Sequence, residues 1–251
     1  MNINLKMHTI LLLVGPNQCG KTTFSKDILE PQLKDLGLNV KYISSDNYRK
    51  DLLFTDNLDR NENSLSEIGS LAFELLNKEV DVYSSYPVNS DIIIVDTKGL
   101  SSEFRNDMAK IAEKNHYNLD IMVFNYKKMG DYYDGSKNKK SIEKQVNKLR
   151  LSVLKDLSKN KPHFIHSITK KDFLENAENY KVNVLDLEKY KSQYLPSDYD
   201  YFIVGDVHEQ INELKQLIVK AGFILDDSEK KIVDSQFINK RILLVGDFID
   251  K

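Results

Sequence analysis

The sequence predicts an α/β fold in which a parallel β-sheet carries helices on both faces. Short apolar runs alternate with longer amphipathic stretches, which is the pattern of strands separated by helices. The run Ile92–Val95 is apolar at every position, as expected for a strand that is covered on both sides. A glycine-containing loop follows the first long apolar run and leads into a helical pattern. These three features favour a doubly wound sheet over residues 1–168.

The individual elements follow from the same alternation. The predicted strands are Thr9–Val14, Val40–Ser44, Asp91–Val95, Asp120–Phe124 and His163–Ile168, and the predicted helices are Lys21–Leu36, Ser64–Val82, Ser101–Asn115 and Ser141–Leu157.

The composition is that of an ordinary globular protein. The 251 residues are 41% hydrophobic and 29% charged, and the net charge of −2 gives no general attraction to nucleic acid. The single cysteine, Cys19, excludes an intrachain disulfide and fits a reducing compartment. The apolar run Ile10–Val14 is too short for a membrane span or a signal peptide. We therefore expect a cytoplasmic protein with no membrane partner.

A domain boundary is predicted over residues 169–199, which are polar and weakly periodic and which we interpret as a linker. A second α/β pattern follows, with strands at Tyr201–Val204 and Arg241–Val245 and a helix at Glu209–Ala221. Because so short a piece buries little of its own sheet, residues 200–251 are interpreted as the beginning of an incomplete second domain.

The loop after the first strand has the sequence GPNQCGKT at residues 15–22, which fits the pattern G-x-x-x-x-G-K-[ST] at every fixed position. Its glycines let backbone N–H groups point at a phosphate, and the following helix adds positive potential. Lys21 is predicted to pair with the β- and γ-phosphates of ATP, and the Thr22 hydroxyl to ligate Mg²⁺. Cys19 is interpreted as a bystander. The predicted nucleotide-binding residues are Gly15, Asn17, Gln18, Cys19, Gly20, Lys21, Thr22 and Thr23.

The ends of the next two strands offer further catalytic candidates. Asp46 follows the second strand and is predicted to accept the proton of an acceptor hydroxyl, while Arg49 holds a phosphate of the acceptor. A helix N-cap at Ser45 or Asp46 with an exposed arginine is the alternative. Asp96 ends the third strand and is predicted to reach the metal's water shell or to orient Thr22, with a strand-end turn aspartate as the alternative. Arg105 is predicted to face the same crevice, with a solvated surface charge as the alternative.

A lysine-rich stretch over residues 131–161 is predicted to form a lid. It holds nine positive and four negative charges, a local excess of +5 in a chain that is negative overall. A mobile segment that closes over ATP, a groove for a polyanion and the solvated face of a surface helix all have this composition. The sequence leaves these interpretations open.

The phosphate loop, the Ser-Ser-Asp-x-x-Arg element and the strand ending in Asp96, with Arg105 nine residues later, together resemble the kinase module of bacterial and phage polynucleotide kinase-phosphatases. The resemblance covers residues 8–168 and implies transfer of the ATP γ-phosphate to a 5′-hydroxyl end of RNA or DNA. It implies that Asp46 is the general base, that Arg49 contacts the phosphate at the acceptor end, and that Asp96 and Arg105 lie on the acceptor side. Lys98-Gly99 stands where that family has Thr-Asn, and the lid here is almost entirely lysine.

Two acidic turns in the second pattern predict part of a two-metal site for phosphoester hydrolysis. Asp206 and His208 would hold one divalent metal ion, such as Mn²⁺, and Asp247 would bridge this ion and a second one. These turns resemble the opening motifs of calcineurin-like metallophosphoesterases, although Glu209 stands where that family has glycine. Unrelated glycine–aspartate turns are the alternative. Because the family's later ligands would lie beyond Lys251, we expect a remnant, a split gene product or a shortened chain without phosphatase activity.

The sequence therefore predicts an ATP-dependent polynucleotide 5′-hydroxyl kinase followed by the start of a metallophosphoesterase domain. A small-molecule P-loop kinase and a non-catalytic ATP-binding phage protein are the alternatives. Arg49 and the lysine-rich stretch favour a polynucleotide, whereas the irregular lid and the incomplete second domain favour the non-catalytic protein. The choice between RNA and DNA, and whether the protein is a homo-oligomer, are left open.

Overall fold

The computed structural model divides into two compact units, residues 1–190 and 191–251. The segment 169–190, interpreted above as linker, therefore belongs to the first unit. The predicted α/β fold, a parallel sheet with helices on both faces, is confirmed in that unit. The structure describes residues 1–54, 68–133, 139–159, 162, 164–171, 173, 175–192, 199–226, 228, 231–235 and 239–246.

A five-stranded parallel sheet organises the first unit. Its strands are β2 (Thr9–Val14), β3 (Val40–Ser44), β4 (Ile92–Asp96), β5 (Asn118–Phe124) and β6 (Phe164–Ile168). They lie in the order β3-β4-β2-β5-β6. Because β2 lies between β4 and β5, the loop that follows β2 emerges at the middle of the sheet edge, where ligands bind in open α/β sheets. Strands β2 and β4 are buried at every position, as their apolar sequences predict.

Helices cover both faces of this sheet, and two of the predicted helices contain a π-helical turn. The predicted helix after β2 is divided by the turn Ser25–Leu29, and the lysine-rich helix by the turn Leu149–Val153. The first four residues predicted for the helix at 64–82 lie outside the described residues. The helices are α1 (Lys21–Phe24), α2 (Glu30–Asp35), α3 (Ser45–Leu53), α4 (Gly69–Ser84), α5 (Ser102–Lys114), α6 (Lys139–Lys148) and α7 (Leu154–Lys159).

The segment after β6 returns to the first residues of the chain. Strand β7 (Lys181–Val184) pairs in parallel with β1 (Asn2–Leu5), and the pair packs on one face of the central sheet. Phe173 and Tyr180 contact the Phe24 ring edge-to-face, at centroid distances of 5.3 and 5.2 Å. This packing explains why residues 169–190 belong to the first unit although their sequence is weakly periodic. Their aromatic side chains pack against Phe24 of α1 in the core.

The predicted lid is built into the core through its apolar residues. Ile142 and Val146 of α6 are buried in one core, and Leu149 and Val153 of the following π-helical turn are buried in the other. The lysines of α6 point away from these contacts and are exposed. For the residues of the stretch that the structure describes, the arrangement is that of an amphipathic helix with a solvated face. Residues 134–138, 160 and 161 of the stretch lie outside the described part.

The second unit has a strand–helix–strand pattern and one additional hairpin. Strand β8 (Asp200–Val204) pairs in parallel with β11 (Lys240–Leu244), while β9 (Phe223–Leu225) and β10 (Ile232–Ser235) pair in antiparallel fashion. Helix α8 (Ile211–Lys220) packs on a small buried cluster. That cluster consists of Ile218, Ala221 and Phe223. Within the described parts of the chain, no helix is long and apolar enough to cross a membrane.

Candidate active site

The phosphate loop has the curled backbone that its sequence predicts. The Gly15 N–H donates a hydrogen bond to the Lys98 carbonyl (3.0 Å), which ties the start of the loop to the end of β4. Gly20 has a φ of 85°, and a Cβ atom at this position would lie 2.5 Å from the Phe173 ring. Glycine is therefore required at position 20 by both backbone conformation and space. From this point helix α1 begins, and the Phe24 N–H donates to the Gly20 carbonyl (2.9 Å).

The Lys21 ammonium group lies inside the loop. Its Nζ donates to the carbonyl oxygens of Gly15 (3.1 Å) and Pro16 (2.7 Å), and the side chain is buried. These carbonyls are partners that an incoming anion can replace. Cys19 lies behind the loop, and burial raises the pKa of its thiol. A buried, protonated thiol is a poor nucleophile, which favours the bystander interpretation of Cys19.

Asp96 joins the end of β4 to the phosphate loop. The Thr22 hydroxyl donates to Asp96 Oδ2 (2.5 Å), and the Tyr42 hydroxyl donates to the same oxygen (2.6 Å). Burial and the charge of Asp96 raise the pKa of Tyr42, so the phenol stays a neutral donor. Hydroxyl and carboxylate oxygens are the ligands that Mg²⁺ prefers. The residues present at this point therefore fit the predicted magnesium site.

Asp46 and Arg49 lie together on the first turns of α3. Ser44 caps this helix by accepting the Asp46 N–H, one residue earlier than the alternative interpretation places the cap. The Arg49 guanidinium donates to Asp46 Oδ1 (2.6 Å) and to Ser45 Oγ (3.2 Å). It also lies 5.3 Å from the centroid of the Phe73 ring. Because Asp46 is 66% exposed, its carboxylate remains open to a ligand.

One cavity of about 350 Å³ brings the phosphate loop and the Asp46–Arg49 pair to a common space. Four cationic side chains and two carboxylates line it, so the cavity favours an anionic ligand. The cations are Lys21, Arg49, Lys98 and Lys171, and the carboxylates are Asp46 and Asp96. The other predicted nucleotide-binding residues that line it are Asn17, Gln18, Gly20, Thr22 and Thr23.

The structure places Arg105 away from this cavity. Its guanidinium donates to the Gly99 carbonyl (2.9 Å) and to the Asp156 carboxylate, and the side chain is buried. Arg105 lines a separate cavity with Leu157 and Tyr117. The prediction that Arg105 faces the crevice is thus replaced by a structural role, in which the buried Arg105 side chain and the partly exposed Asp156 carboxylate link α5 to α7.

A second cavity of about 600 Å³ lies beyond the ends of β5 and β6. It shares Lys171 with the first cavity. The lysine-rich helix also reaches this side of the molecule: the Asn17 N–H donates to Gln145 Oε1 (2.8 Å). Arg150 donates to the Tyr126 carbonyl and to Asn125 Oδ1, so its guanidinium is held at the end of β5.

Several residues in the first cavity or bonded to its Asp96 carboxylate were not predicted as site residues from the sequence. Lys98 and Lys171 follow the ends of β4 and β6, and the rule that ligands bind beyond strand ends could have indicated both. Tyr42 and Phe73 carry no comparable signal. Their positions depend on the pairing of β3 with β4 and on the rotation of α4, which local sequence does not determine.

The second unit shows only part of its predicted metal site. His208 Nε2 lies 3.8 Å from Asp206 Oδ2, and both side chains are more than half exposed. Asp247 lies outside the described residues. Among the residues that the structure describes, no group of three or more His, Cys, Asp or Glu side chains could hold a metal ion.

The strand order, the phosphate loop and the Thr22–Asp96 pair define the first unit as a P-loop nucleotide-binding fold. No protein-family model matches the chain, and no curated protein matches it.

Several solved structures are similar to the chain. Shikimate kinase from Acinetobacter baumannii, in complex with shikimate, is 16% identical with a TM-score of 0.43, over 76% of this chain and 96% of that one. A structure of the PezAT toxin–antitoxin system of Streptococcus pneumoniae is 16% identical with a TM-score of 0.45, over 66% and 70%. The APS kinase CysC of Mycobacterium tuberculosis is 14% identical with a TM-score of 0.39, over 73% and 99%.

Proposed function

We propose that the first unit is an ATP-dependent phosphotransferase that moves the γ-phosphate to a hydroxyl group, with Mg²⁺ as its metal. One observation carries the proposal. The phosphate loop, with its Thr22–Asp96 pair, and the Asp46–Arg49 pair line the same cavity. A phosphoryl transferase needs these two groups of residues at opposite ends of the transferred phosphate.

The roles of the individual residues follow from their contacts. Lys21 exchanges its bonds with the Gly15 and Pro16 carbonyls for bonds with the β- and γ-phosphates. The N–H groups of the loop bind the same oxygens. Thr22 and Asp96 would hold the magnesium ion, which would neutralise charge on the phosphates.

Asp46 is the proposed general base, and Arg49 orients it. The Arg49 guanidinium lies 2.6 Å from Asp46 Oδ1 and holds the exposed carboxylate in position to accept a hydroxyl proton. As the acceptor enters, Arg49 shares its remaining N–H groups with an acceptor phosphate. The Phe73 ring below the guanidinium limits its movement.

We propose a 5′-hydroxyl end of RNA or DNA as the acceptor. The proposal is supported by the Ser-Ser-Asp-x-x-Arg element, by the place of Arg49 in the cavity and by the excess of cations there. A nucleic acid end carries a phosphate one nucleotide away from the reacting hydroxyl, and a bidentate arginine suits that group.

A small hydroxyl compound is a second candidate acceptor, and one observation favours it. Beyond Phe73 lies a further cavity of about 420 Å³, lined by the carboxylates of Glu74, Glu103 and Asp107. None of the described residues that line this cavity is lysine or arginine. Such an environment disfavours a long polyanion and favours a neutral or cationic acceptor.

For the second unit, we propose a metallophosphoesterase-like segment in which Asp206 and His208 are metal ligands. Asp206 and His208 supply two of the ligands that a two-metal centre needs. A single Mn²⁺ ion bound loosely by this pair is compatible with the proposal.

The acceptor is tested by incubating the full chain with Mg²⁺ and γ-labelled ATP, and with 5′-hydroxyl RNA, 5′-hydroxyl DNA or a panel of small hydroxyl compounds. Asp46→Asn should lower turnover at least a hundredfold while the Kd for ATP changes less than about twofold. Arg49→Ala should weaken oligonucleotide use more than ATP binding. Label on small compounds alone would select the second candidate, and ATP binding without transfer to any acceptor would contradict the kinase proposal.

A further inference from the structure

Lys171 occupies a position that no part of the predicted site includes. It follows β6 by three residues, and its Nζ donates to the carbonyl oxygen of Gln18 in the phosphate loop (3.3 Å). The side chain lines the first cavity, which we call the phosphate cavity, and also the second cavity beyond β5 and β6. Lys171 therefore lies at the boundary of the two spaces, beside the loop.

The backbone near Lys171 is fixed to the phosphate loop by packing. Phe173 is buried, and its ring lies so close to Gly20 that a Cβ there would be 2.5 Å from it. The same ring contacts Phe24 edge-to-face at a centroid distance of 5.3 Å. A cation held next to the loop in this way loses little additional conformational freedom when it binds a ligand.

The lysine-rich stretch does not supply an equivalent cation in the described structure. None of the residues described between 139 and 159 lines the phosphate cavity. Arg150 donates to the Tyr126 carbonyl and Asn125 Oδ1 instead. Apart from Lys21 of the phosphate loop, the cations that line the cavity come from α3, from the end of β4 and from the segment after β6.

We propose that Lys171 binds the polyphosphate of the nucleotide directly. The segment after β6 then supplies the additional cation that was predicted to come from the lysine-rich lid. The ligand class, a nucleoside polyphosphate, rests on the proposed function. Lys171 exchanges its bond with the neutral Gln18 carbonyl for a charge-assisted bond with a phosphate oxygen. With four cationic side chains and two carboxylates, the lining of the phosphate cavity attracts such an anion.

The test measures the Kd of the full-length protein for Mg-ATP and for inorganic tripolyphosphate, in the wild type and in three variants. Lys171→Gln retains a donor for the Gln18 carbonyl but has no charge, and Lys171→Arg restores the charge. Lys170→Gln is the matched control, because Lys170 lines only the second cavity. Lys171→Gln should bind both ligands about tenfold or more weakly. Lys171→Arg and Lys170→Gln should stay within about threefold of the wild type.

Thermal unfolding without ligand separates binding from folding, since Lys171→Gln should unfold within a few degrees of the wild type. Unchanged affinity of Lys171→Gln would overturn the assignment, as would an equal loss in Lys170→Gln, which would indicate a general charge effect. If the wild type binds neither ligand, the proposed function itself fails, and this result is distinct from a loss confined to Lys171→Gln.

Discussion

The two units of this chain use the same local plan and reach different results. In each, a parallel strand leads into a turn that contains glycine and then into a helix. In the first unit β2 has a strand on either side and is fully buried. In the second, β8 pairs only with β11 among the described strands, and Ile203 on it is 59% exposed.

The acidic residues of the two units differ in the same way. Asp96 is buried and accepts hydrogen bonds from the Thr22 and Tyr42 hydroxyls. Asp206 and His208 are exposed, 3.8 Å apart. A strand-end carboxylate thus becomes part of a built site when neighbouring elements supply its hydrogen-bond partners and remove it from water.

The largest expected effect concerns Lys21. Lys21→Ala should lower the rate of phosphate transfer at least a hundredfold, because an electrostatic contact to the transferred group is worth about 3 kcal/mol or more. Lys34→Ala is the matched control, since Lys34 is exposed and pairs only with Glu30 on its own helix. Single-turnover kinetics with labelled ATP measure both variants. Equal rates in the two would remove the phosphate-loop assignment.

The next effect tests how closely the Phe173 ring packs on the phosphate loop of the first unit. Gly20 and Gly37 have similar left-handed φ values, 85° and 79°, but only Gly20 faces a ring where a Cβ would be placed. Gly37→Ala should cost about 1–2 kcal/mol of unfolding free energy from backbone conformation alone. Gly20→Ala should cost at least about 1 kcal/mol more, because the Phe173 ring must shift. Urea unfolding measures the difference, and equal costs would mean that Phe173 does not confine the loop.

A smaller effect is expected at alkaline pH. Burial raises the pKa of Tyr126, and burial together with Asp96 raises the pKa of Tyr42. The folded state therefore holds protons that the unfolded chain releases above about pH 10, so this stability is present below pH 10 and is lost as the pH rises further. Tyr126→Phe should be less stable at neutral pH, because it loses the hydrogen bond to the Cys19 carbonyl, but should show a shallower alkaline loss. Urea unfolding at pH 7 to 11 compares the two proteins, and parallel slopes would contradict the assignment to Tyr126.

The smallest effect is expected in the second unit. Adding Mn²⁺ or Ni²⁺ should release no phosphate from a generic phosphoester, because Asp206, His208 and Asp247 are too few ligands to fix two ions about 4 Å apart. Asp206→Ala should accordingly leave the background rate unchanged. Metal-dependent turnover that disappears in this variant would show a complete site and would remove the contrast between the units.

The strands of the sheet and the phosphate loop could be predicted because their signals are local. The apolar run Ile92–Val95 and the fixed glycines and lysine of the loop each report on a few adjacent residues. The approach of Thr22 to Asp96 followed from strand-end geometry and is present at 2.5 Å. The prediction that Arg105 faces the crevice is wrong, because its separation of nine residues from Asp96 does not determine which face of α5 it occupies.

The contribution of residues 169–190 could not be predicted for a related reason. A stretch of mixed polarity that packs through Phe173 and Tyr180 gives no periodic signal. Its contacts with α1 join residues far apart in the sequence, and only the folded arrangement of β6 and β7 brings them together.

The pairing of β1 with β7 has a practical consequence for anyone who shortens this protein. A chain cut after residue 168 would lose the partner strand of β1, the ring that confines Gly20 and the Gln32 side chain's bonds to Tyr180 and Val182. The amides of Asn2–Leu5 would then exchange with solvent, and the phosphate loop would be free to fluctuate. A chain cut after residue 190 keeps all of these contacts. The shortest fragment suited to crystallisation with a nucleotide is therefore set by the pairing of β1 with β7 and not by β6, the last strand of the central sheet.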